Sequence, residues 1–182
     1  MTEHLEETEI ESQSVYDGGL LKVRRDQVRL PDGSEAWREY IRHPGAVAVI
    51  ARSPSGNLVF VRQFRYPLRQ ALLEIPAGKI DSGEAPFSCA QRELREETGY
   101  LARKWTHLGL IHTCVAYSDE RIELYLAEDL EHVGACLDEG EFLDVLEISI
   151  DDALRAVWEG GITDSKTVCA MLWVQRLFAT QD

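Results

Sequence analysis

The sequence predicts an α+β fold, with helices packed on either side of a mixed sheet and a small antiparallel β region ahead of it. Three observations carry that prediction. Strand patterns outnumber helical ones and do not alternate with them, which argues against repeated βαβ units. The run Ala46-Val47-Ala48-Val49-Ile50-Ala51 is continuously apolar, as a buried strand is. Helical patterns fall in only three places, one mid-chain and two near the end.

Taken in order, residues 1–11 hold five glutamates and little that packs, so an acidic flexible tail is expected there. Residues 12–43 read as an N-terminal β region, with Gly18-Gly19 as a bend and Pro31-Asp32-Gly33 as a hairpin turn. So few strands are marginal alone. The region is expected to pack on the main domain or on a second subunit. His43-Pro44-Gly45 breaks the pattern, and residues 44–182 form the main domain. There, residues 46–51 and 58–64 pair as a hairpin, and a short strand at 72–75 leads into Pro76-Ala77-Gly78. A helix opens near Pro86 and stops at Gly99, with Phe87, Ala90 and Leu94 as its apolar stripe. Strands follow at 105–114 and 121–127, joined by a loop at 115–120. An acidic irregular stretch spans 128–141, then come a strand at 143–150 and helices at about 152–159 and 165–179.

Composition narrows the function. A net charge of -13 over 182 residues argues against a nucleic-acid or anionic-membrane partner, both of which need clustered Lys and Arg. Cys89, Cys114, Cys136 and Cys169 form no CxxC pair, so zinc and iron–sulfur chemistry are unsupported. The N-terminus lacks the apolar core of a signal peptide, and no apolar run approaches the ~20 residues of a membrane span. A reduced, cytoplasmic protein is expected.

The chemistry concentrates between Gly78 and Tyr100. Glu93 and Glu97 lie four residues apart, about 6 Å along a helix axis and on one face, with Glu96 beside them. Like charges so placed repel. A cluster kept there has something positive to hold, and an oxygen-ligated divalent cation fits best. A merely solvated face has no reason to repeat the flanking Gly78, Glu84, Arg92 and Gly99 in register.

Those residues satisfy the pattern G-x5-E-x7-R-E-U-x-E-E-x-G-U, where U is a bulky aliphatic, with Tyr100 departing from it at the last position. This is the Nudix box, and the chain resembles the Nudix hydrolase superfamily. The resemblance implies an α/β/α sandwich and metal-dependent hydrolysis of a nucleoside diphosphate linked to another group, with Mg²⁺ or Mn²⁺ as cofactor. It implies Glu93, Glu97 and the Ala77 carbonyl as metal ligands, with Glu96 assisting catalysis. Gly78, Glu84, Arg92 and Gly99 shape the box, and Arg92 is placed to pair with Glu96 at i+4.

Beyond the box, residues 39–44, 61–67, 73–78, 118–127, 138–145 and 161–167 resemble the ADP-ribose pyrophosphatase branch. That likeness implies a loop at 138–141 in which Glu139 is the general base and Glu141 a further metal ligand. Arg38, Arg65 and Glu74 are candidate substrate-binding residues, since arginine's planar fork suits phosphate. It also implies a homodimer in which the N-terminal region exchanges between subunits and brings Arg38 to the site. Val115 stands where the branch carries a proline, which leaves a nucleotide sugar such as GDP-mannose as the alternative substrate. A non-catalytic ADP-ribose-sensing module is the remaining alternative, although every box carboxylate is present.

Overall fold

A computed structural model describes residues 2–137 and 140–178, and separates them into two compact units. The first comprises residues up to Pro44 together with His112–Arg121. Its three-stranded antiparallel sheet has the order β1 (Thr8–Asp17), β2 (Lys22–Arg29), β3 (Glu35–Arg42). The tail expected over residues 1–11 is corrected here, because β1 begins at Thr8 and Glu9 pairs with Val28. Every residue of β1 is exposed, so its pairing rests on backbone hydrogen bonds and leaves no apolar alternation to read. The loop at 115–120, expected as a plain connection, fastens to the end of β3. Ile41 N–H donates to the Tyr117 carbonyl at 2.9 Å, and His43 N–H to Asp119 Oδ1 at 2.7 Å.

The second unit spans Gly45–Ile111 and Ile122 onward. Its seven-stranded mixed sheet contains β4 (Ala46–Arg52), β5 (Leu58–Arg65), β6 (Gln70–Glu74), β7 (Ala77–Lys79), β8 (Tyr100–His112), β9 (Arg121–His132) and β10 (Leu143–Ile148). The main path runs β10-β5-β4-β9-β8, with β6 on β5 and β7 on β4. The β4–β9 pairing is parallel, while β4–β5, β4–β7 and β5–β10 are antiparallel. The helices are α1 (Pro86–Thr98), α2 (Ile150–Trp158) and α3 (Ser165–Phe178).

The apolar run of β4 is explained by what covers it. Ala46, Ala48 and Ile50 point into a cluster with Phe60, Leu124, Ala153, Ala170 and Met171, beneath α2 and α3. Val47, Val49 and Ala51 point the other way, onto Cys89, Ala90 and Leu94 of α1. Alternate residues of a strand face opposite sides, so a sheet with helices on both faces needs apolar residues at every position. The result is the α/β/α sandwich. Among the described residues, no helix is long and apolar enough to cross a membrane.

Candidate active site

The site is built on α1 and on the strand end that faces it. Pro86 opens the helix at its first turn, where its missing N–H costs nothing. Gly99 closes it at φ 73°, and its N–H donates to the Arg95 carbonyl at 2.9 Å. A side chain at Gly99 would be strained by that φ and would also meet Gly134 and Ala135. Tyr100 keeps its ring against the α1-side core and donates its hydroxyl to Glu147 at 2.9 Å, which explains how an aromatic fits that position.

Arg92 organises the carboxylates. Its Nε and Nη2 donate to Glu84 Oε1 and Oε2, each at 2.9 Å. Its Nη1 donates to Glu93 at 2.8 Å and to Glu96 at 2.9 Å, so the i+4 pair read from the sequence is present. Part of the positive charge that the glutamates require therefore comes from the helix itself. The Arg92 guanidinium holds the Glu84 carboxyl at a pKa of about 2, despite the opposing effect of burial.

Glu97 is not served in this way. It is 4% exposed, and its Oε2 accepts from Ala77 N–H at 3.1 Å. Burial pushes its pKa up to about 8 against that hydrogen bond, with the charges of Glu93 and Glu141 adding to the rise. Burial likewise raises Glu93, opposed by Arg92 and reinforced by Glu96 and Glu141. The Glu93 carboxylate lies directly over Gly78, where a Cβ would occupy the same space, so the box glycine is a clearance for a carboxylate. Glu141 enters from the loop before β10, and Gln63 Nε2 donates to it at 3.2 Å. Glu139 lies outside the described residues.

The structure thus brings Ala77, Gly78, Glu84, Arg92, Glu93, Glu96, Glu97 and Glu141 into one neighbourhood. Among the described residues, no three His, Cys, Asp or Glu side chains are gathered tightly enough to chelate a metal as they stand. The donor chemistry nevertheless fits an oxygen-ligated divalent cation. The buried Glu97, the half-buried Glu93 and a third acidic group face one another, and burial raises the pKa of Glu97, with its acidic neighbours adding to the rise.

Arg65 and Glu74 form a pair of their own. Arg65 donates from Nε and Nη2 to the two Glu74 oxygens at 2.6 and 2.7 Å. Glu74 is 1% exposed, so it anchors Arg65 and presents nothing to solvent. Arg65 keeps 41% of its side chain exposed, and Nη1 is left out of the fork to Glu74. Burial acts to raise the Glu74 pKa, but Arg65 and Lys166 outweigh it and the net shift is downward. Arg38 belongs to the N-terminal unit, where Glu7 accepts from its Nε at 2.9 Å and its Nη2 at 2.5 Å. Val115, also in that unit, is 80% exposed.

Sequence reasoning missed Lys166, which is 8% exposed and donates to Glu74 and, at 3.0 Å, to Asp164. The available signal was a lysine in the first turn of an otherwise apolar helix, following an aspartate that can cap it.

Comparison with known proteins agrees with this geometry. The NUDIX domain model matches residues 42–169, and the model of the nucleoside diphosphate sugar hydrolase N-terminal domain matches residues 7–41. The chain is 40% identical over 179 residues to an ADP-ribose pyrophosphatase of Bacillus subtilis (strain 168), covering 97% of each. It is 44% identical over 172 residues to a methanol dehydrogenase activator of Bacillus methanolicus, covering 93% of each. A solved structure described as an ADP compounds hydrolase superposes with a TM-score of 0.84 at 22% identity, over 94% of both chains. The box, the sandwich that presents it and these matches agree: the chain belongs to the Nudix family of divalent-metal-dependent pyrophosphate hydrolases.

Proposed function

We propose that the protein hydrolyses the pyrophosphate of ADP-ribose to AMP and ribose 5-phosphate, with Mg²⁺ or Mn²⁺ as cofactor. The observation that carries this reading is the buried Glu97 carboxylate, bonded to the Ala77 N–H and set among the like charges of Glu93 and Glu141. The near full-length similarity to an ADP-ribose pyrophosphatase supports the choice of substrate.

In this reading Glu93, Glu97, Glu141 and the Ala77 carbonyl hold the metal, and Arg92 keeps Glu96 and Glu93 in position for it. When bound, the metal neutralises the pyrophosphate and lowers the pKa of a water. Glu139 takes the proton of the attacking water. Glu74 holds Arg65 by two of its nitrogens and leaves the third for a phosphate oxygen. Comparing kcat/KM for ADP-ribose, GDP-mannose, a dinucleoside polyphosphate and 8-oxo-dGTP tests the assignment. ADP-ribose is expected to lead; GDP-mannose leading would transfer the same chemistry to a nucleotide sugar, the reading that Val115 favours.

The active form in this reading is a homodimer, with the N-terminal unit supplying Arg38 to the partner's site. The support is β1, a ten-residue strand exposed along its whole length in a three-stranded sheet. Light scattering at micromolar concentration is expected to give twice the 20.6 kDa of one chain, and a monomeric mass would exclude the exchange.

A further inference from the structure

The first turn of α3 and the end of β6 are joined by a set of buried polar contacts that fold stability alone does not call for. Lys166 Nζ donates to Glu74, whose carboxylate also accepts from Arg65. One residue on, Ile75 N–H donates to Thr167 Oγ1 at 3.0 Å. Asp164 Oδ2 ties the turn together, accepting from Lys166 Nζ at 3.0 Å, from Thr167 N–H at 3.0 Å and from Thr167 Oγ1 at 2.6 Å. Thr167 is fully buried and Glu74 almost so. The Pro76 carbonyl then accepts from Val49 N–H at 2.9 Å, and Ala77 N–H donates to Glu97. Each residue from 74 to 77 thus has a fixed partner, and α3 supplies a partner to each of the first two.

Little freedom remains between Ile75 and Ala77. The peptide planes are rigid and the Pro76 ring fixes its own φ, so the direction of Ala77 follows closely from that of residues 74 and 75. A lysine and a carboxylate at this depth cost desolvation that a pair of apolar side chains would avoid. What they supply is a defined direction.

We propose that Lys166 and Thr167 are positioning residues for the metal site. They hold the strand end so that Ala77 N–H orients Glu97 and the Ala77 carbonyl faces the same place. This rests on the reading of Ala77 and Glu97 as metal ligands. A purely structural role for the α3 turn would affect stability and leave metal affinity unchanged.

The test is Mn²⁺ binding without substrate, read from loss of the free-ion electron paramagnetic resonance signal. Wild type is compared with Thr167→Val, Thr167→Ser, Lys166→Met and Glu97→Gln, each checked for folding by circular dichroism. Thr167→Val and Lys166→Met are expected to weaken binding about tenfold, the size of effect seen when groups supporting metal ligands are removed. Thr167→Ser keeps the hydroxyl and is expected to bind as wild type does. If Lys166→Met does not fold, the Thr167 pair decides alone. Wild-type affinity in folded Thr167→Val, alongside weakened Glu97→Gln, overturns the positioning role and leaves the metal site standing. Wild-type affinity in Glu97→Gln overturns the metal-site reading itself, and the positioning role with it.

Discussion

Replacing Glu97 with Gln is expected to lower kcat on ADP-ribose by about 10³-fold, equivalent to about 4 kcal/mol of transition-state stabilisation. The amide keeps the shape and can still accept from Ala77 N–H, but it brings no negative charge to a cation. The fold should survive, and metal-free protein should become more tolerant of alkaline pH. The sign follows from burial. Folded Glu97 binds its proton more tightly than the unfolded chain does, with a pKa near 8 against an ordinary 4.5. Its effect on metal-free stability is therefore smallest below pH 4.5 and grows more unfavourable as pH rises toward 8. Glu97→Gln removes that decline. Thermal unfolding in EDTA across this range checks the sign, and turnover within tenfold of wild type would remove Glu97 from the metal site.

Replacing Glu74 with Ala is expected to cost the most stability of any single change in the second unit's polar network. The loss is about 3 kcal/mol, since Lys166 is left at that depth with Asp164 as its remaining ion-pair partner among the described residues, and Arg65 loses both of its bonds to the carboxylate. The Glu74 side chain is 2% exposed and that of Lys166 10%, so water cannot replace the missing carboxylate cheaply. For a chain of this size the fall in Tm is about 10 °C. Differential scanning calorimetry measures it. A drop of about 2 °C or less would mean that the pair contributes no more than an exposed ion pair does.

The parts of the fold legible in the sequence were those in which spacing carries the information. The α1 helix, the Ala90 and Leu94 positions of its apolar stripe, its glycine stop and the Arg92–Glu96 pair all follow from residues within one or two helical turns of each other, whereas Phe87, expected in the stripe, is exposed. The alternation of β4 between two cores was visible as an uninterrupted apolar run. The parts that escaped lack such a local signal. The start of β1 at Thr8 is invisible because an exposed strand makes no demand on its side chains. β8 begins at Tyr100, directly after the α1 cap and five residues earlier than expected, because exposed polar residues interrupt its apolar pattern. Lys166 reads as a solvent-facing lysine until Glu74, 92 residues away, is placed against it. Arg92 shows the same limit within the box. Its pairing with Glu96 is a helix-spacing argument, whereas its grip on Glu84 depends on a loop whose path the sequence does not state.

In the function proposed above, the carboxylates of α1 and the Ala77 strand end make cleavage of a pyrophosphate depend on a divalent metal. The most direct measurement follows ADP-ribose by phosphorus NMR in ¹⁸O-labelled water, with Mg²⁺ or Mn²⁺ and then with EDTA. AMP and ribose 5-phosphate are expected in equal amounts, with ¹⁸O in one of the two phosphates and no reaction after chelation. Intact ADP-ribose with either metal, under conditions where the nucleotide is shown to bind, would contradict that function.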